Sequence, residues 1–167
     1  MHGNSSRRPA DLLVRRFGEA DLAAVFLLVH GTIDACYRAV YPPNAVRRFK
    51  ELHTEEKILE DASSGLTLVA ETGSGLVGTG TVVGEHVKRV FVDSSRQCQG
   101  IGRAIMGRLE AEARRAGVSR VHLEVSIPSR RFYESLGYVS FEDAAWDVGD
   151  GQRLDFWTAS KDLGAAP

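Results

Sequence analysis

Apolar and polar positions along this chain change their spacing several times, and each change marks an element. DLLVRRF (Asp11–Phe17) reads as a first strand, and EADLAAVFLLVHGTIDACYRAVY carries helical periodicity until Tyr41-Pro42-Pro43 breaks it. Two shorter helices follow, NAVRRFKEL and TEEKILEDASS, the latter opened by Thr54 with Glu55 and Glu56 in its first turn. LTLVAET and LVGTGTVVG are β-rich runs joined by Gly73-Ser74-Gly75, which is a hairpin signal. HVKRVFVD reads as a further strand, and GIGRAIMGRLEAEARRAG as an amphipathic helix ending at Gly117. RVHLEVS alternates Val121, Leu123 and Val125 against His122 and Glu124, as a half-buried strand does. PSRRFYESLGY is a short helix between Pro128 and Gly137; YVSFEDAAWDV and RLDFWTASKDL flank a second hairpin at Gly149-Asp150-Gly151-Gln152. The order predicts an α/β (α+β) fold: a mixed, mostly antiparallel sheet with a central parallel β-α-β crossover, flanked by helices.

The totals fit one domain of an ordinary globular protein. The chain has 167 residues, 43% of them hydrophobic and 26% charged. Residues 1–10 read as a flexible tail and residues 11–163 as a single domain. A net charge of −1 gives no global attraction to nucleic acid or membrane, so neither is expected as a partner. No run comes near the length of a membrane span, and MHGNSSRRPAD lacks the apolar core of a secretory signal. Cys36 and Cys98 stand far apart and no Cys/His group has zinc spacing, which points to a reducing, cytoplasmic setting without a metal. Asn4-Ser5-Ser6 matches a glycosylation sequon, which such a setting leaves unused.

The stretch RQCQGIGRA (Arg96–Ala104) carries the chemistry. A glycine-rich turn between a strand and a helix aims backbone N–H groups at an anion, and the helix dipole adds positive charge there. Gln97, Cys98, Gln99, Gly100, Ile101 and Gly102 form such a cradle, with Arg103 in the first helical turn. The dinucleotide fingerprint fails because Ile105 occupies its third glycine position. A P-loop fails too: GSGLVGT (Gly73–Thr79) lacks the lysine and joins two strands. What remains is Q/R-x-x-G-x-G/A after an apolar strand, met by Gln97, Gly100 and Gly102. A plain β–α turn whose glycines ease packing is the alternative.

With its surroundings, from VFVDSS to RRFYESLGY, this pattern resembles the acetyl-CoA-binding half of the GNAT superfamily of N-acetyltransferases, over about fifty residues in register. The resemblance implies acetyl-CoA as co-substrate, with its pantetheine arm between two splayed parallel strands on backbone groups of Phe91 and Val92. It places the pyrophosphate on the QCQGIG amides, and Ser129 and Phe132 beside the cofactor. Ser126 and Ser129 stand where asparagine and alanine are frequent in the family. Arg114, Arg115, Arg120, Arg130 and Arg131 read as solvated faces, with a contact of Arg130 or Arg131 to the cofactor's 3′-phosphate as the alternative.

The implied reaction is attack of an amine on the acetyl thioester with loss of CoA thiolate. A lysine-like amine has a pKa of about 10.4 and needs a base; the thiolate, near 8.5, benefits from an acid. Tyr133 stands where many members carry the acid, its alternative being a core tyrosine. Counting six positions back from Val92 puts His86 where several members carry a glutamate that acts as base, the alternative being an exposed polar residue at a strand start; Glu85 and Glu124 are the other candidates. A covalent role for Cys98 is disfavoured, because it lies in the cradle without an adjacent base, and His30 lacks the partner a metal needs. Tyr37, Tyr41, Arg47, Arg48 and Trp146 are candidate walls for the acceptor, an amine on a small molecule or a peptide. A homodimer is compatible with the resemblance. A non-catalytic acyl-CoA-binding regulatory module is the other reading of the same residues.

Overall fold

The computed structural model describes residues 8–164. The expected tail lies largely outside the described residues, as do the sequon and the last three residues. Seven strands form one sheet in the order β1-β2-β3-β4-β5-β7-β6. They are β1 Leu13–Arg16, β2 Leu66–Thr72, β3 Gly75–Val83, β4 His86–Val92, β5 Arg120–Ser126, β6 Val139–Asp147 and β7 Arg153–Asp162. The helices are α1 Leu22–Tyr37, α2 Pro43–Glu51, α3 Glu55–Ser64, α4 Ile101–Arg115 and α5 Arg130–Ser135. All neighbouring strands are antiparallel except β4 and β5, which α4 connects. This is the mixed sheet with a central parallel crossover that the sequence predicts.

The ends of the elements follow local chemistry. Thr54 caps α3 by accepting the Lys57 amide at 3.3 Å. Helix α1 stops at Tyr37 rather than at Tyr41, because Pro42 and Pro43 cannot continue the hydrogen-bond ladder and Arg38–Val40 turn out of it. Helix α5 starts two residues late, since Ile127–Ser129 form a single 3-10 turn around Pro128.

The sheet carries a core on each face. On one face α4 and Tyr133 of α5 bury Ile101, Ile105, Met106 and Leu109 against Leu68, Val87, Val121 and Leu123. On the other, α1, α2 and α3 bury Val29, Ile33, Ala45 and Ile58 against Val69 and Phe91. Glu19–Tyr37 has the length and apolar composition of a membrane span, which corrects the expectation that no run comes near one. In the fold Val25, Val29 and Ile33 sit in this second core, and the helix packs on β3 and β4.

Strand β4 departs from regular pairing in two places. Thr81 pairs with Lys88 and Thr79 with Phe91, so Gly80 alone faces both Arg89 and Val90, which is a β-bulge. Arg89 takes the left-handed backbone conformation there, with φ +52°. Gly80 is required by the close approach of α4: a Cβ would lie 2.6 Å from Ile105 Cγ2. On its other side β4 pairs with β5 only at His86 and His122. The ladder ends there, so the two parallel strands are unpaired toward the ends from which α4 and α5 follow.

Candidate active site

The bulge decides which side chains reach the open face. Before it, Val87 points to the α4 core; after it, Val90 returns to that core and Phe91 turns to the opposite one. His86, Lys88, Arg89 and Phe91 thus line one cavity of about 430 Å³ on the α1–α3 side. Glu124 and Ser126 enter it from β5, and Ser129 and Tyr133 from the α5 region. Phe49, Leu52, Trp146, Leu154 and Phe156 add apolar wall. A cavity of this size takes a small-molecule group or a single side chain.

Two polar clusters face it. In the first, His86 Nε2 lies 2.6 Å from Glu124 Oε2, and the His122 ring stacks on His86 at 4.9 Å. The hydrogen bond from His86 holds Glu124 below the usual carboxylate range, so Glu124 is ionised and accepts only. The proton of a neutral His86 then sits on Nε2, and Nδ1 carries the lone pair. Glu124 is thus bound to the very histidine singled out as base, rather than being a merely solvated strand residue. Glu85 is exposed and contributes only its backbone carbonyl, to the His122 amide.

In the second cluster Asp61 accepts from Lys88 Nζ at 2.7 Å and from Arg89 Nη2 at 2.8 Å. Burial alone would raise Asp61, but these two hydrogen bonds outweigh it and hold the carboxyl low. Arg89 Nε donates to His53 Nδ1 at 3.2 Å. Burial, then the Arg89 charge, pushes His53 down to about 3, so its imidazole is neutral. Reading the sequence as alternating strands missed this cluster. The signal was the adjacent pair Lys88-Arg89 inside an otherwise alternating strand, which a bulge resolves.

Tyr133 is buried, and its hydroxyl makes no hydrogen bond to the described residues. Burial, then neighbouring Tyr37, raises its pKa, which keeps the phenol protonated. Tyr37 donates to Ser126 Oγ at 3.0 Å, and Ser126 and Ser129 hydroxyls lie 2.7 Å apart. Tyr41 lies outside this wall: it donates to the Asp155 carbonyl and accepts the Ile127 amide. Arg47 pairs with Asn44 and Glu51, while Arg48 lies over the Trp146 ring.

The glycine-rich loop sits where β4 leads into α4. Cys98 (φ +60°) and Gly100 (φ +78°) both take the left-handed conformation, which turns the chain into the helix start. The amides of Ile101, Gly102 and Arg103 make no hydrogen bond to the described residues, as first-turn amides do not. Gly102 lies under Phe132, where a Cβ would sit 2.9 Å from Cζ. Both readings of the loop therefore have support: unpaired amides for an anion, and a glycine that admits a ring. Side chains serve the cradle less than expected. Ile101 is in the core, Gln97 Nε2 turns back to the Val92 carbonyl at 3.2 Å, and Gln99 is half-exposed. Arg103 Nη2 is drawn to Ser135 Oγ at 3.3 Å. Arg130 is bonded to Glu134 and lies 4.7 Å from the Phe141 and Trp157 ring centres. Arg131 is exposed. His30 binds the His53 carbonyl, at 2.9 Å.

A family model described as an acetyltransferase (GNAT) domain matches residues 37–149, more than half of the chain. The chain belongs to the GNAT acetyltransferase family. No curated protein matches it. Among solved structures, this GNAT acetyltransferase resembles a GCN5-related N-acetyltransferase of Rhodopseudomonas palustris, with a TM-score of 0.82 and 20% identity. That likeness covers 92% of this chain and 96% of the other. The PaiA N-acetyltransferase of Thermoplasma acidophilum, determined with coenzyme A, has a TM-score of 0.73 and 18% identity, covering 90% of this chain and 98% of its own. YncA of Salmonella typhimurium, determined with its cofactor acetyl-CoA, has a TM-score of 0.70 and 20% identity, covering 92% and 94%. At these identities the likenesses speak for the shared fold.

Proposed function

We propose that this chain transfers the acetyl group of acetyl-CoA directly to a primary amine, with His86 as base and Tyr133 as acid. The observation that carries the proposal is the single cavity that holds His86, Glu124 and Tyr133 where β4 and β5 part. Support for acetyl-CoA itself comes from the unpaired first-turn amides of α4, from family membership, and from CoA or acetyl-CoA in two similar structures.

Acetyl-CoA would supply the acetyl thioester, its pyrophosphate on the amides of Gln97–Arg103 and its arm along Phe91 and Val92 beside Phe132. Ser129 would stand near the arm through its hydroxyl, which is hydrogen-bonded to that of Ser126. His86 Nδ1 takes a proton from the incoming ammonium or amine, directly or through a water, and Glu124 stabilises the imidazolium that forms. Such a carboxylate also fixes the tautomer, as in other base–carboxylate pairs. Tyr133 gives its phenolic proton to the leaving sulfur. Its raised pKa keeps that proton in place at neutral pH.

Thermal unfolding with acetyl-CoA tests the binding half. At 100 times the dissociation constant a ligand adds about 2.7 kcal/mol, or roughly 5–10 °C for a domain of this size. Thiol release with primary amines tests the chemistry: Tyr133→Phe should lower kcat at least about tenfold while the acetyl-CoA dissociation constant holds. Acetyl-CoA binding without thiol release across amine classes would mean a non-catalytic acyl-CoA-binding module instead.

A further inference from the structure

One charged group in the cavity is left incomplete by the protein. The Arg89 side chain is 2% exposed, and its Nη1 has no hydrogen-bond partner among the described residues. Its other two nitrogens are taken, by Asp61 and by His53. A buried guanidinium donor without an acceptor is costly, and a ligand that supplies the acceptor removes that cost. Arg89 also holds a left-handed backbone conformation that a β-branched or bulky residue rarely adopts. The same bulge that strains it puts it on the cavity wall.

The local charge count points to the ligand's sign. Asp61 is shared between Lys88 and Arg89, with both of its oxygens used. His53 is neutral and adds nothing. Across the whole wall Lys57 and Glu60 offset one another, and Glu124 balances the last cation but is held at His86. Within the Asp61–Lys88–Arg89 cluster two cations share one carboxylate, so the cluster itself is net positive, at the nitrogen that lacks an acceptor. A carboxylate fits both needs, since its oxygens accept from a guanidinium edge and an ammonium together.

We propose that the acceptor is a small amino acid-like molecule with an apolar side chain, its carboxylate held by Arg89 Nη1 with Lys88 beside it. The amine then lies toward His86 and the parted strands, and the apolar side chain meets Phe49, Leu52, Trp146 and Phe156. This rests on the acetyltransferase reading above and narrows its acceptor.

The test compares matched acceptors by CoA thiol release: L-phenylalanine, L-leucine and L-methionine, their amides, and the corresponding decarboxylated amines. The amides have a less basic amine than the acids and the decarboxylated amines a more basic one, so basicity alone cannot favour the acids over both. The acids should show kcat/KM at least about tenfold above both other forms. Arg89→Met should lower kcat/KM for the acids and collapse their advantage, and Arg89→Lys should keep part of it. Acids no better than their amides, or an unchanged preference in Arg89→Met, would overturn the proposal. The wild-type panel decides even if Arg89→Met fails to fold. Acetyl-CoA that stabilises the protein while none of these acceptors turns over also overturns it. Absence of any acetyl-CoA effect on unfolding strikes the acetyltransferase reading itself.

Discussion

The protonation state of His53 gives a stability prediction whose size and sign can be worked out. His53 Nδ1 accepts from Arg89 Nε, so adding a proton there would set donor against donor beside a fixed positive charge. Burial, then Arg89, lowers its pKa to about 3 in the folded chain, against about 6.5 when unfolded. Between those values the unfolded chain binds a proton that the folded chain refuses, so stability falls as pH falls. The loss from pH 7 to pH 5 works out at about 2 kcal/mol, an upper value because the residue keeps a partly exposed edge. Asp21, Asp34, Asp61 and Glu124 are all held low as well. Their contribution is present above the ordinary carboxylate range, about pH 4, and is lost only on further acidification, outside this window. Urea unfolding at half-unit steps from pH 7 to pH 5 reads the slope. In His53→Gln the amide oxygen still accepts from Arg89 but cannot titrate, so the slope should flatten by most of that amount. Parallel profiles for the two proteins would refute the neutral, buried histidine.

Two further perturbations test other links. Glu124→Gln removes the charge that supports a protonated His86, so kcat should fall about tenfold or more while the acetyl-CoA dissociation constant holds. An unchanged kcat would detach Glu124 from the base. Gly80→Ala puts a Cβ 2.6 Å from Ile105 Cγ2 and 3.0 Å from Leu109 Cδ1, and should cost about 1–3 kcal/mol in denaturant unfolding. Adding Ile105→Ala should cost less in that background than in the wild type, and strict additivity would show that the contact is not the cause.

Much of the architecture was written in local signals. Alternation along RVHLEVS gives β5 to the residue, and Thr54 caps α3 as its type and position suggest. The glycine-rich loop falls between β4 and α4, though Gly100 stays outside the helix because a φ of +78° cannot be helical. Candidate site residues could be named where they belong to one motif, as Gly102 and Tyr133 do. Their partners could not be read where the candidate site is assembled across elements. Glu124 gains its meaning from His86, 38 positions earlier, through the single rung that joins β4 to β5. The Asp61–Arg89–His53 cluster joins α3, β4 and the turn after α2, and no spacing in the sequence encodes that meeting.

The bulge at Arg89 and Val90 ties these separate features to one cause. Were these same residues paired regularly with no bulge, period-two alternation from Val87 would send Phe91 into the α4 core and turn Val90 toward the cavity. The bulge gives Phe91 to the cavity, holds the Arg89 backbone in its left-handed conformation, and faces Gly80, whose missing side chain admits α4. The helix whose start bears the glycine cradle and the strand whose residues line the cavity are therefore set by the same irregularity. Restoring regular pairing there would move the glycine-rich loop and the cavity wall together. A perturbation of Arg89 that shifts its backbone should accordingly be felt in acetyl-CoA binding, whereas one that changes only its guanidinium should be felt in acceptor choice alone.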